Sequence, residues 1–232
     1  MKSIVFITLV SLALLSQAGS PNSAPASFAC VLQADTLAKT KARAVERLAA
    51  CDRDWIILDV AFDGETMWDR ANLDTLRRGR SGRKVLAYMS IGEAEDYRAY
   101  WRKEWTFQGQ LAAAAPVWLG AGNPEWKGNY RVKYWHPEWQ ALMLAAMDDA
   151  LTRGFDGLYL DIVDAFETYE QNGEEYADNC LNPDTRQSYR RDMVDWVKWI
   201  ATRARAKNPA ALIVPQNGSQ LLSHADFLAA IS

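Results

Sequence analysis

Gly154-Phe155-Asp156-Gly157-Leu158-Tyr159-Leu160-Asp161-Ile162-Val163-Asp164 reads as a tight turn, a buried strand, and two carboxylates where the strand runs out. Carboxylates are costly to bury without a partner or a task. At the C-terminal end of a parallel strand they stand where α/β proteins place their chemistry. Side chains alternate along a strand, so Asp161 shares a face with Tyr159. Asp164 is also well placed to cap a following helix, a common task for aspartate.

Outward from this segment, strand and helix alternate. Apolar runs predict strands at 28–33, 55–62, 84–93 and 211–218, the second holding Asp59 and the third ending in Gly92-Glu93. Apolar residues at helical spacing predict helices over 36–51, 138–152 and 185–207, with a polar helix over 66–78 and a short one after 219. The stretch 94–137 is irregular and rich in Tyr and Trp, with one short strand expected at 115–119 or 130–135. Fully apolar strands between helices predict a parallel sheet covered on both faces. No Gly-x-Gly-x-x-Gly or phosphate loop follows a strand. Instead, polar residues stand at the ends of several strands: Asp59 and Asp63, Glu93, Asp161 and Asp164, Gln216 and Asn217. A (β/α)8 TIM barrel converges such ends on one mouth, and that is the predicted fold.

The N-terminus has the pattern of an export signal over 1–18. Lys2 is followed by an apolar run and then small residues, and a flexible stub is expected over 19–27. The apolar run of about 12 residues is too short to span ~30 Å of hydrocarbon. Cleavage is expected after Ala18 or, failing that, Ala24. The barrel domain is then 28–232, long enough for one large core. A net charge of −3 with no basic block argues against a nucleic-acid partner. Three cysteines in an exported chain permit one disulfide, with Cys30 and Cys51 a possible pair.

Ten tryptophans and nine tyrosines supply flat surfaces that stack on pyranose faces and also fill cores. Glycoside hydrolysis needs two carboxyl groups, one to protonate the leaving oxygen and one to attack or to activate water. Asp161 and Glu93 are the candidate catalytic pair. Candidate substrate-binding or supporting residues are Asp59, Tyr88, Arg98, Trp135, Tyr159, Asp164, Gln216 and Asn217. Arg98 can hold Glu93 or Asp59 ionised through a bidentate pair, or can be a solvated helix charge. Asn217-Gly218 can equally make a plain turn. His136 and His224 are the chain's histidines, and their settings give no hydrolytic triad. His136 reads as a residue of a helix start or of loop packing. A metal site of acids with Asn217 is unspecific, and no metal or cofactor is expected.

Four stretches carry a family resemblance: Val85-Leu86-Ala87-Tyr88-Met89-Ser90-Ile91-Gly92-Glu93-Ala94-Glu95-Asp96-Tyr97-Arg98, Trp126-Lys127-Gly128-Asn129-Tyr130-Arg131-Val132-Lys133-Tyr134-Trp135, the segment 154–164, and Pro215-Gln216-Asn217-Gly218. Together they resemble the family 114 glycoside hydrolases and their secreted bacterial relatives. The resemblance implies a secreted or periplasmic (β/α)8 barrel that cleaves internal α-1,4 bonds of a cationic, galactosamine-containing polysaccharide. It implies carboxylate catalysis without a cofactor and retention at the anomeric centre. By the same resemblance Asp161 matches the strand-end nucleophile, Glu93 the glutamate of the Gly-Glu motif, and Asp59 an acid on the second strand. Family members continue past Gln216-Asn217 into a further strand bearing an acid, a candidate acid/base. This chain runs only to Ser232, so a barrel lacking its last strands after about six is expected. A fragment, a truncated gene or a partner that closes the sheet would each account for it. The competing expectation is a non-catalytic polysaccharide-binding or envelope-associated protein on a degenerate barrel.

Overall fold

The computed structural model describes residues 25–172 and 175–232. Its main strands are β1 (Phe28–Val31), β2 (Trp55–Leu58), β3 (Lys84–Ser90), β4 (Glu93–Glu95), β5 (Leu119–Gly122), β6 (Asn129–Val132), β7 (Gly157–Asp161) and β8 (Leu212–Pro215). The main helices are α1 (Lys41–Ala50), α2 (Arg70–Arg78), α3 (Pro137–Arg153), α4 (Tyr189–Lys207) and α5 (Ala225–Ala230).

β1, β2, β3, β7 and β8 form one parallel sheet in which spatial order follows chain order. A doubly wound sheet reverses direction at a switch point, whereas a barrel wall winds steadily one way. With right-handed crossovers, steady winding puts every helix on the same face. Side-chain parity agrees. Ile56, Leu58, Val85, Ala87, Leu158 and Ile213 pack into one core with Leu48 of α1, Leu73 of α2, Met147 of α3 and Val197 of α4. On the opposite face Ile57, Leu86, Tyr88 and Leu212 form a separate cluster with Trp55, Tyr159 and Val214. That cluster is the inner lining of a (β/α) barrel wall. The expected helical cover on both faces is corrected: helices pack on the outer face alone, and the strands read as continuously apolar because the barrel lining is apolar too. Among the described residues β1 and β8 are the outermost strands of this sheet.

Where one strand is expected within 94–137 there are β5, β6 and a small hairpin of Thr106–Phe107 with Gln110–Leu111; β5 and β6 matter for the site. Both join β4 in an antiparallel sheet outside the parallel one. Helix starts follow caps rather than periodicity. Thr40 accepts from the Arg43 N–H, and Asp69 and Asn72 cap each other, so α1 and α2 begin about four residues later than expected. His136 caps α3 by accepting the Glu138 N–H at 3.3 Å. Gly154 ends α3 at φ 109°, a left-handed conformation that glycine adopts without a Cβ penalty. Asp156 then accepts the Val85 N–H at 2.8 Å and Arg77 at 3.1 Å, tying the start of β7 to β3 and α2. Arg83 is buried and donates to the carbonyls of Leu48 and Ala49 in α1, Leu76 in α2 and Arg53 before β2. Helix C-terminal carbonyls favour such a cation.

The export signal expected over 1–18 and both cleavage positions lie outside the described residues. The stub expected over 19–27 is anchored at its end, since the Ser27 N–H bonds Asp54 at 2.9 Å and its carbonyl accepts from Asp54 and Trp55. The Cys30–Cys51 pairing is also corrected: both thiols are free. Cys30 alternates with Ala29 and Val31 and shares the inner parity of Phe28, whereas Cys51 packs against the outer core. Among the described residues no helix is long and apolar enough to cross a membrane.

Candidate active site

Asp161 ends β7 with the inner-face parity of Tyr159 and faces Ser90 across the sheet. The Tyr88 hydroxyl donates to its Oδ2 at 2.6 Å, and the Ile162 N–H donates to Oδ1 at 2.8 Å. Ile162 has φ 57° and ψ 40°, a left-handed conformation costly for a β-branched residue. Its surroundings hold it there. The Ile91 N–H bonds the Asp161 carbonyl at 3.0 Å, and Gly92 is pressed so close that a Cβ on it would lie 2.1 Å from the Ile162 carbonyl oxygen. The strained residue thus turns its own N–H back onto the Asp161 carboxylate.

Beside Tyr88 lies a buried charge network. Arg98 donates through Nη1 to Asp59 at 2.5 Å and through Nε to Glu95 at 2.6 Å. Asp59 is 8% exposed and Glu95 3%. The guanidinium lies 6.0 Å from the Tyr88 ring centroid and 5.1 Å from that of Tyr97, whose hydroxyl donates to Glu95. Burial alone would lower the pKa of Arg98, but Glu95 and Asp59 outweigh it and the net shift is upward. Burial, then Glu95 and Asp161, hold the Tyr88 phenol well above its ordinary range, so it stays a protonated donor. The sequence reading offered Glu93 or Asp59 as partner of Arg98. The partners are Asp59 and Glu95, and Glu95 was missed. Its signals were present: it shares the face of Glu93 two residues on and stands three residues before Arg98.

Glu93 is buried, and its carbonyl accepts the hydroxyl of Ser90, the residue opposite Asp161, at 2.9 Å. Its two carboxylate oxygens accept from the amides of Asn123 at 2.8 Å and Asn129 at 3.1 Å. Asp164 lies within the short turn Val163–Phe166 and does not cap it; the cap position is Ile162, which makes no side-chain cap bond. Burial first, with Glu167 and Asp161 adding, raises the Asp164 carboxyl above its ordinary value, opposed in part by a hydrogen bond from Asn217. Asn217 itself has φ 67°, and the Gln216 N–H continues the sheet by bonding the Leu160 carbonyl at 2.7 Å. Tyr159 is half-buried on the inner face, its phenol raised by burial, then by Cys30 and Asp161. Cys30, also missed, is solvent-accessible on β1; partial burial of its thiol and then Asp161 push it up. Trp135 belongs to another cluster. Its indole N–H donates to Asp184 at 3.1 Å, and its ring packs on Tyr169 and Tyr189 with centroids 4.9 and 5.2 Å away. The structure therefore gathers Asp161, Tyr88, Tyr159, Asp59 and Arg98, with Asp164 and Asn217 adjoining, while the Glu93 carboxylate is held by Asn123 and Asn129 and Trp135 packs in another cluster. Among the described residues no group of three or more His, Cys, Asp or Glu side chains is arranged to hold a metal ion.

A one-way-wound (β/α) sheet with carboxylates at its strand ends is the architecture of barrel glycosidases. The chain belongs to glycoside-hydrolase family GH114, whose family model matches residues 15–230. It is 38% identical over 176 residues to an uncharacterized protein of Deinococcus radiodurans, covering 76% of this chain and 50% of that protein. In fold it is similar to Aspergillus fumigatus Ega3, solved in complex with galactosamine, with a TM-score of 0.57 at 20% identity over 88% of this chain and 63% of that one. It is likewise similar to the glycoside hydrolase domain of PelA from Pseudomonas aeruginosa, with a TM-score of 0.55 at 19% identity over 87% of this chain and 64% of that one. The chain spans between 48% and 65% of the length of the curated relatives it matches.

Proposed function

We propose that the protein is a secreted, endo-acting glycoside hydrolase that cleaves α-1,4 bonds of a galactosamine-containing polysaccharide, with Asp161 as nucleophile. The observation that carries this reading is the Asp161 carboxylate at an inner-face strand end, held on both oxygens by Tyr88 and the Ile162 N–H. Two fixed donors aim the carboxylate and remove the cost of orienting it during reaction. Attack on the anomeric carbon breaks the glycosidic bond as a second carboxylic acid protonates the leaving oxygen, and forms a glycosyl-enzyme ester; the same group, now a carboxylate, takes a proton from the water that hydrolyses the ester with retention. The preference for an amino sugar is supported by formal charge: Asp59 and Glu95 pair with one guanidinium, Asp161 lies one tyrosine away on Tyr88, and an anionic cleft attracts a protonated amine. Glu93, with both oxygens accepting amide protons, fits a positioning role better than that of a proton donor. The segment 1–18 serves as the export signal in this reading.

The test is cleavage of defined galactosamine oligomers followed by reducing-end release. Asp161→Asn should fold with an unchanged circular dichroism spectrum and lose activity by roughly 10³-fold or more. If it releases ends as fast as the parent, Asp161 is not the nucleophile. Oligomer binding by the parent without end release would instead point to a binding protein.

A further inference from the structure

We propose that the turn 123–129 carries a glycan-stacking subsite outside the cleft, with the Trp126 indole as its platform and Tyr97 beside it, built on Glu93. The inference rests on the reading of the protein as one that handles polysaccharide. Trp126 is 68% exposed and Tyr97 61% exposed. Single exposed aromatics are ordinary, but these two stand on adjoining backbone. The Asp96 N–H bonds the Gly128 carbonyl at 2.8 Å, joining the segment before Tyr97 to the turn that holds Trp126.

That turn is rigid, and its rigidity traces to one buried carboxylate. Asn123 Oδ1 accepts the N–H groups of Glu125 at 2.9 Å and Trp126 at 3.3 Å. The Asn129 N–H bonds the Trp126 carbonyl at 3.0 Å, and the Asn123 N–H bonds the Asn129 carbonyl at 2.7 Å. The amides of both asparagines then donate to Glu93, which is 5% exposed. Burying a carboxylate beneath a turn is costly, and a turn that only reversed the chain would not need it. What the arrangement gives is a fixed backbone beneath an exposed indole, which lowers the ordering cost of a ligand that stacks on it. Tyr97 is fixed likewise, its hydroxyl on Glu95 and its ring against Arg98. Contacts of Arg98 with Tyr97 and Tyr88, and of Tyr88 with Asp161, link this patch to the cleft. The occupant is the apolar face of a pyranose ring in a glycan chain that extends from the cleft. Glu93 is accordingly a positioning residue of this subsite.

The test is affinity electrophoresis in gels holding a partly deacetylated galactosamine polymer, its fully N-acetylated form, or a neutral α-glucan. All proteins carry Asp161→Asn to prevent cleavage. Trp126→Ala should weaken retention about tenfold, the loss of one aromatic stacking contact. Trp126→Phe should keep most of it, and Trp199→Ala, a change at an exposed indole on α4, should leave it unchanged. Equal retention of Trp126→Ala and parent, or no retention of the parent by any polymer, overturns the subsite. Trp126-dependent retention by the neutral glucan alone upholds the subsite and removes the amino-sugar reading.

Discussion

Tyr88 shows how much depends on one atom. Its hydroxyl bonds Asp161, while its ring shields the guanidinium that holds Asp59 and Glu95. Tyr88→Phe keeps the ring and deletes the donor. A hydrogen bond to a charged group contributes about 1.5–3 kcal/mol, so kcat/KM on galactosamine oligomers should fall roughly 10- to 100-fold while the melting temperature falls by only about 3–10 °C, leaving the protein folded at the assay temperature. Asp164 gives a prediction of opposite sense. Burial raises its folded pKa, so its ionised form destabilises the fold above that value, and the penalty fades as pH falls toward the ordinary 3.8. Asp164→Asn should therefore melt higher than the parent at pH 7, with the gain shrinking in scans at successively lower pH. At this scale Asp161 was legible because it is an acid at the end of an apolar run. Glu95 was legible only in its spacing to Glu93 and Arg98, since Glu93-Ala94-Glu95-Asp96 otherwise looks like a solvated acidic stretch until Arg98 folds onto it. Nothing in the sequence announces the left-handed backbone of Ile162, which its packing against Gly92 imposes.

Among elements, the junction between the end of β3 and the end of β7 is closed against backbone. A methyl group on Gly92 would meet the Ile162 carbonyl at 2.1 Å and the Ala165 Cβ at 2.6 Å, and neither is a flexible tip. Gly92→Ala should cost about 2–4 kcal/mol, as overpacking against backbone does, measured by urea unfolding. α5 is held to α4 by Asp226, which accepts from Arg191 at 2.6 Å and Lys198 at 2.7 Å. Those bonds hold the Asp226 carboxyl well below its ordinary value. A depressed folded pKa stabilises above the unfolded value and is lost as pH falls through the folded one. Hydrogen exchange in α5 should thus be faster in Asp226→Asn than in the parent at pH 7, the difference narrowing below pH 3.8. Strands of the parallel sheet were readable because their apolar runs are continuous. Helix starts were not, because the caps at Thr40, Asp69 and Ser188 decide them. β5 and β6 lie in an aromatic stretch whose period shows only over a few residues: β6 alternates, with Tyr130 and Val132 buried, but it is four residues long.

Across the whole molecule, strand order separates two environments that the sequence interleaves residue by residue. The barrel class was visible in polar residues gathered at successive strand ends. The sidedness was not, since apolar lining and apolar core look alike in a strand. One consequence is chemical. With Cys30 on the inner face and Cys51 against the outer core, thiol titration of the denatured, unreduced protein should count three free thiols per chain. A count of one would mean that the sheet does not part them. Another consequence concerns how such a wall can change. Odd-numbered positions in β2, such as Trp55 and Ile57, meet only the lining, while Ile56 and Leu58 carry the helices. A library that randomises Trp55, Ile57, Leu212 and Val214 and leaves their neighbours untouched would vary the shape of the cavity while sparing the scaffold, so the pleat itself marks which letters of the gene are open to revision.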